Sequence, residues 1–317
     1  MYKEVWDFML INAGSRTDIP AYFSEWFFNR IDEGFVYVRN PYFQNQVTKY
    51  ILSPDVVDCI IFCTKNPSPM LNNLDKLSPY GQLWFVTITP YGKDIEPNVP
   101  LKEEVVESFK RLSDAIGAKQ VVWRYDPIFI NEKYSLDFHI EAFERMAESL
   151  SGYTSECVIS FIDLYEKTKR NFPSVKLVSE NDRQKIGKTF SVIGREHNIL
   201  IKTCAEGSDL SVYGIDHCGC ITKPVIERAI GKSLKIPKLS KARGECDCLL
   251  GNDIGAYNTC SHGCKYCYAN YDKGVVKNNL KLHDKKSPFL IGGFKEGDII
   301  KIAKQETYVN PQLGLGF

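Results

Sequence analysis

No apolar run in this 317-residue chain approaches the roughly 20 residues that a membrane helix needs, so a helical membrane span is not expected. The opening Met1-Tyr2-Lys3-Glu4-Val5-Trp6-Asp7 mixes both charges and lacks the ordered regions of a signal peptide. Cytoplasm is therefore the expected location. An excess of either charge is also missing: 40 Lys and Arg stand against 39 Asp and Glu, a net charge of +1. Such a balance gives no global attraction to nucleic acid or to an anionic membrane. No P-loop, dinucleotide fingerprint or Ser-His-Asp arrangement stands out, and Gly14 belongs to no phosphate-binding pattern. No internal repeat or low-complexity tract is visible.

Cysteine, by contrast, is plentiful. Eleven are present, and eight of them fall between Cys204 and Cys267. In a reducing compartment, clustered cysteines are metal ligands or catalytic thiols more often than disulfides. The run Thr259-Cys260-Ser261-His262-Gly263-Cys264-Lys265-Tyr266-Cys267-Tyr268 has the spacing Cys-x3-Cys-x2-Cys. Three thiolates on one tight loop can hold three irons of a [4Fe-4S] cube and leave the fourth open to substrate or cofactor. Gly263 can supply the unusual backbone angles of such a loop. His262 is either a fourth ligand or a hydrogen-bond partner of the loop. A zinc site with its fourth ligand elsewhere fits the same residues.

A second group, Cys204, Cys220, Cys246 and Cys248, with Cys218 as a fifth thiol, lies in a stretch of weak periodicity. An auxiliary iron–sulfur cluster, a structural zinc and unrelated buried thiols are the three readings. Cys59, Cys63 and Cys157 fall on apolar runs and read as core.

The first two hundred residues alternate apolar runs with helical patterns. Strands are expected at Phe8–Asn12, Phe35–Val38, Val57–Cys63, Leu83–Thr89, Val121–Tyr125, Cys157–Ile162 and Ile199–Thr203. Helices are expected at Pro20–Arg30, Lys102–Ile116, Phe138–Leu150 and Glu180–His197, the third carrying an apolar stripe through Ala142, Met146 and Leu150. Strand–helix alternation predicts parallel strands with right-handed crossovers. Seven strands suggest an α/β fold with a parallel (βα)-barrel-like core, although a closed barrel and an open sheet both fit. The expected organisation is a barrel-like core at 1–205, an irregular Cys-rich segment at 206–250, and a cluster loop with a C-terminal segment at 251–317 that completes the core.

Most of the runs lead into polar residues: Ser15-Arg16-Thr17-Asp18, Arg39-Asn40, Thr64-Lys65-Asn66, Arg124 with Asp126, Asp163, and Cys204 with Glu206. Chemistry gathers at the carboxyl ends of parallel strands. A basic stretch from Lys265 to Lys286, interleaved with Tyr266, Tyr268 and Tyr271, could contact nucleic acid, but a solvated surface is the favoured reading.

The three-cysteine run, with Tyr266 just before the last cysteine, resembles the radical S-adenosylmethionine superfamily. That resemblance implies that Cys260, Cys264 and Cys267 bind a [4Fe-4S] cluster, that S-adenosylmethionine chelates the open iron, and that Tyr266 lies beside its adenine. It implies a 5′-deoxyadenosyl radical, an unknown substrate and a reducing partner of flavodoxin or ferredoxin type. Such enzymes carry the motif near the start of the barrel, so its late position implies a circular permutation, with Asp253–Tyr257 as the first strand beside Phe8–Asn12. Bound cofactor would need acceptors for amine and ribose, expected among Asp18, Asp126 and Asp163, and cations for its carboxylate, expected among Arg16, Arg39 and Arg124. The superfamily's Gly-Gly-Glu run is absent. The whole chain resembles the DUF1848 family through Ser15–Ala21, Phe62–Pro67, Arg124–Ile128, Cys204-Ala205-Glu206, Asp253–Asn270, His283-Asp284 and Ser287-Pro288. Arg124-Tyr125-Asp126-Pro127 with the cluster loop gives a looser resemblance to the spore photoproduct lyase branch. The alternative is a non-catalytic iron–sulfur or zinc metalloprotein with a structural or sensing role.

Overall fold

The computed structural model describes residues 9–204, 206, 209–236, 248–249 and 251–314. Phe8, the expected start of the first strand, and Cys246 lie outside them.

The described residues form twelve strands: β1 (Leu10–Asn12), β2 (Phe35–Arg39), β3 (Gln46–Ile51), β4 (Cys59–Thr64), β5 (Gln82–Thr87), β6 (Val121–Ile128), β7 (Glu156–Phe161), β8 (Leu200–Thr203), β9 (Lys232–Leu234), β10 (Asn252–Asp253), β11 (Ile299–Ile302) and β12 (Val309–Gly314). The helices are α1 (Ile19–Tyr22), α2 (Ser24–Glu33), α3 (Lys102–Ile116), α4 (Leu136–Leu150), α5 (Glu166–Asn171), α6 (Glu180–Glu196), α7 (Lys223–Ile230) and α8 (Lys273–Leu280). Among the described residues no helix is long and apolar enough to cross a membrane.

Seven strands form one sheet in the order β10-β1-β4-β5-β6-β7-β8, and every neighbouring pair is parallel. Counted from β10, that order follows the chain without exception. All seven carboxyl ends therefore share one edge of the sheet. The expected Phe35–Val38 strand is real but belongs elsewhere. As β2 it pairs with β3, and β11 adds to β3, in a separate three-stranded sheet. Its place in the main sheet is taken by β10.

The sheet is open: among the described residues no ladder joins β8 to β10. Side-chain alternation shows why a barrel does not close. On β4, Ile60 and Phe62 face the layer of α1 to α4 and α6, while Cys59 and Ile61 face the other way. That second face, with Leu83, Phe85, Val122 and Val158, is covered by Val225, Ile226 and Ala229 of α7 and by Leu234 of β9. Arg228 on α7 ties the layer down through a 2.7 Å ion pair to Glu156 on β7. A helix thus fills the space that a closing barrel would enclose.

The predicted Lys102–Ile116 helix has those bounds. The predicted Pro20–Arg30 helix is broken at Phe23, where φ is −131°. Asp18 caps its first part by accepting from Ala21 N at 3.0 Å. The expected irregular segment holds α7 and β9, and the last fifty residues hold α8 and β12 besides β11.

His139 on α4 is fully buried, with Nδ1 2.8 Å from Tyr125 Oη and Nε2 2.9 Å from the Phe129 carbonyl. Both contacts are satisfied by the neutral ring, with the proton on Nε2. Burial pushes its pKa down to about 4, although the Phe129 carbonyl pulls the other way. In the unfolded chain it titrates near 6.5. The unfolded state therefore binds the extra proton, and stability is full above about 6.5 and is lost as pH falls towards 4. Denaturant melts across that window are expected to lose about 3 kcal/mol through this group. His139→Gln should remove that component, and an unchanged slope in the variant would refute it.

Candidate active site at the carboxyl ends of the strands

The loop that leaves β10 carries Cys260, Cys264 and Cys267, each partly buried. Each thiol lies within electrostatic range of the other two. The loop is pinned at several points that do not involve sulfur. The Asn98 amide N–H donates to the His262 carbonyl at 3.1 Å, and Lys265 N donates to the Ile95 carbonyl at 3.0 Å. Asn98 Nδ2 donates to the Ser261 carbonyl, and Asn270 Nδ2 to the Cys260 carbonyl, both at 2.8 Å. Gly263 has φ +69°, and a Cβ there would come within 3.3 Å of Pro97. Cys267 Sγ accepts from Ala269 N at 3.3 Å.

His262 is buried inside the loop. Its Nε2 is 2.8 Å from Asp18 Oδ2 and its Nδ1 3.0 Å from Tyr22 Oη. With both ring nitrogens engaged, it is the hydrogen-bond partner of the loop rather than a fourth ligand. Asp18 also accepts from Ala21 N, from Thr64 Oγ1 at 2.7 Å and from Lys65 N at 2.8 Å. Four donors fill its acceptor sites. Asp18, expected to bind the amine or ribose of a cofactor, is therefore the anchor of the cysteine loop.

Glu96, in the loop after β5, was not foreseen. It is buried, with one oxygen taking Lys65 Nζ and Thr89 Oγ1, each at 2.8 Å, and the Tyr266 hydroxyl. Its other oxygen takes Lys102 Nζ. Burial alone would raise its pKa, but Lys65 and then Lys102 outweigh burial and hold the carboxyl at about 2. Lys65 Nζ also stands 5.4 Å from the centre of the Tyr266 ring and within electrostatic range of Cys264. Burial pushes the Cys264 thiol up to about 12 despite that cation. Glu96 thus fixes both the aromatic residue of the loop and the cation beside its thiols. No local pattern marks it, because its partners are scattered from Lys65 to Tyr266.

Arg124 and Asp126, two residues apart on β6, share a face and form an ion pair. The ladder to β7 slips between Tyr125 and Ile128, where Pro127 has no N–H to donate. Ser160 donates to Asp126. Arg124 lies within electrostatic range of Cys63, Cys204 and Cys220. Cys63, packed against the second apolar cluster, also lies within electrostatic range of Asp253 and Asp18, whereas Cys59 and Cys157 are fully buried. A Cβ on Gly14 would strike the Cys63 backbone at 2.4 Å, which accounts for that isolated glycine. Arg16 leans on Asp253 at 3.9 Å and on the Tyr257 ring at 5.8 Å. Asp163 is exposed at the rim, accepting from Tyr165 Oη at 3.0 Å. Arg39 lies on β2 and is paired with Asp298 at 2.7 Å, outside the main sheet and its mouth. Tyr266 donates inward to Glu96, apart from the solvated surface expected of the Lys265–Lys286 stretch.

Cys204, Cys220 and Cys248 converge: Cys220 Sγ lies 3.7 Å from each of the other two sulfurs. Cys248 Sγ accepts from Cys220 N at 3.2 Å and Ile221 N at 3.3 Å. The hydrogen bond from Cys220 holds the Cys204 thiol below its ordinary range against burial. Among the described residues no three Cys, His, Asp or Glu side chains are grouped as a site for a metal ion. Among the described residues three buried side-chain oxygens, Thr17 Oγ1, Thr203 Oγ1 and Asn270 Oδ1, have no hydrogen-bond partner.

No curated protein matches this chain. A family model described as a domain of unknown function, DUF1848, matches residues 10–269, and the chain belongs to that family.

Proposed function

We propose that this protein is a radical S-adenosylmethionine enzyme whose cluster loop has been moved to the C-terminal side of a permuted barrel-like core. The supporting observation is the parallel pairing of β10 with β1, through Ile11 with Asn252 and Asn12 with Asp253. It sets the three-cysteine loop over the same strand ends as Asp18, Lys65, Arg124 and Asp126. The strand order, sequential once β10 is counted first, is what a permutation would leave.

The donor set suits the group. Cys260, Cys264 and Cys267 would hold three irons of a [4Fe-4S] cluster, spreading their sulfurs over three corners rather than round a single ion. When bound with S-adenosylmethionine, such a cluster supplies one-electron cleavage of a sulfonium bond and a 5′-deoxyadenosyl radical. The chain's own residues orient and shield. Glu96 fixes Tyr266 for the adenine side. Lys65 offsets the thiolate charge beside Cys264. Thr17 and Asn270, buried acceptors without partners, are better placed than Asp18 to receive an ammonium. Arg16 and Arg124 are the cations available to a carboxylate, and Asp126 and Asp163 the further acceptors. The electron donor would be of flavodoxin or ferredoxin type.

Protein reconstituted anaerobically with iron and sulfide should show the brown [4Fe-4S] chromophore, and with dithionite should convert S-adenosylmethionine to 5′-deoxyadenosine. Colourless protein holding stoichiometric zinc on these cysteines would instead favour the reading as a non-catalytic metalloprotein.

A further inference from the structure

We propose that Cys204, Cys220 and Cys248 form a thiol–disulfide exchange site, in which Cys220 pairs reversibly with Cys204 and Cys248 takes over the bond. The proposal is independent of the cluster. Its basis is a central sulfur 3.7 Å from two others. Disulfide formation from that separation needs only small side-chain rotations if the backbones are already adjacent. They are held so on both sides. Thr203 N donates to the Asp216 carbonyl at 2.9 Å and Asp216 N to the Ile201 carbonyl at 3.1 Å, which joins the Cys204 strand end to the segment leading into Cys220. Leu249 N donates to the Ile221 carbonyl at 2.8 Å, which joins the residues just after Cys248 and Cys220.

The surroundings suit a thiolate at Cys204, whereas Cys220, hydrogen-bonded to both neighbouring sulfurs and buried, keeps its proton. Two backbone N–H groups point at Cys248 Sγ. The Arg124 guanidinium faces Cys204 and Cys220. Thiolate is the attacking species in exchange. Cys204 also sits at the carboxyl end of β8, so the bond would form at the edge of the mouth itself.

The oxidant is a low-mass disulfide such as oxidised glutathione. Cys204, as thiolate, attacks one of its sulfurs, the S–S bond breaks and one low-mass thiol leaves. Cys220 gives up its proton, attacks the Cys204 sulfur and expels the second. Two electrons leave the protein pair and appear in two low-mass thiols, which take up the Cys220 proton and the one that Cys204 had already released to solvent. Attack of Cys248 on Cys220 then moves the disulfide to Cys220 and Cys248 and returns Cys204 to the thiolate, with no net redox change.

The test equilibrates the full-length protein in anaerobic buffers of graded oxidised-to-reduced glutathione, followed by alkylation and peptide mapping. Cleavage before Asp209, Asp216 and Asp247 separates Cys204, Cys220 and Cys248. The Cys204–Cys220 and Cys220–Cys248 links are expected to rise together from absent to dominant along the series. Cys220→Ser should lose both links and leave Cys204 and Cys248 open to alkylation, while Cys218→Ser keeps them. If Cys220→Ser fails to fold, the wild-type map decides alone. The proposal is overturned if all three thiols stay alkylatable across the series, or if a stoichiometric metal on the trio protects them.

Discussion

Cys264→Ala protein, reconstituted anaerobically, is expected to lose the [4Fe-4S] chromophore and to form no detectable 5′-deoxyadenosine, while folding like the parent. The loss should exceed the roughly 10–100-fold cost of removing an outer-shell partner. His262→Ala supplies that graded comparison, because it deletes the link to Asp18 and Tyr22 and spares every sulfur. Folding should survive the cysteine change because the loop is held by Asn98, Ile95 and Asn270 through backbone groups, none of which involves the Cys264 thiol. Circular dichroism and a denaturant melt check that point. Cofactor cleavage at the parental rate in Cys264→Ala would remove the radical chemistry altogether. A chromophore retained without cleavage would leave an iron–sulfur protein of another kind.

The main sheet was legible where apolar runs are long and rich in branched or aromatic residues. Cys59–Thr64 and Gln82–Thr87 are buried on both faces, and such strands read as continuous runs. What a run cannot carry is its partner. Phe35–Arg39 looks like the others, yet it pairs with Gln46–Ile51, whose mixed Gln-Val-Thr-Lys-Tyr-Ile sequence gives too weak an alternation to mark a strand. Helix α7 did leave local signals: Thr222 before it, Pro224 in its first turn, and Gly231 in the left-handed conformation after it. Eight residues give too little periodicity to raise them above the loop around them. The cysteine spacing exposed the candidate site because its residues lie on one loop. Asp18 was visible as a strand-end carboxylate, but its use as an anchor depends on His262, 244 positions away. Glu96 was invisible for the same reason, with Tyr266 170 positions distant.

That same residue governs the largest expected effect on stability. Glu96→Ala should lower the unfolding free energy by about 3 kcal/mol or more, since it strands two lysines near the interior without their counter-ion. Lys65 and Lys102 side chains are only 13% and 22% exposed, and the carboxylate between them is 1% exposed. The change also orphans Thr89 Oγ1 and the Tyr266 hydroxyl. Glu96→Gln separates charge from hydrogen bonding, because it can still accept from Thr89 and Tyr266 but no longer balances the cations. Its loss should fall between those of the parent and the alanine variant. Guanidinium melts at neutral pH measure both. Cofactor affinity measured alongside should weaken more in the alanine variant than in the glutamine one, since only the former releases the Tyr266 ring. A stability loss below about 1 kcal/mol for alanine would mean that both lysines turn out to solvent, as exposed ion pairs allow. Glu96 would then have no part in shaping the mouth.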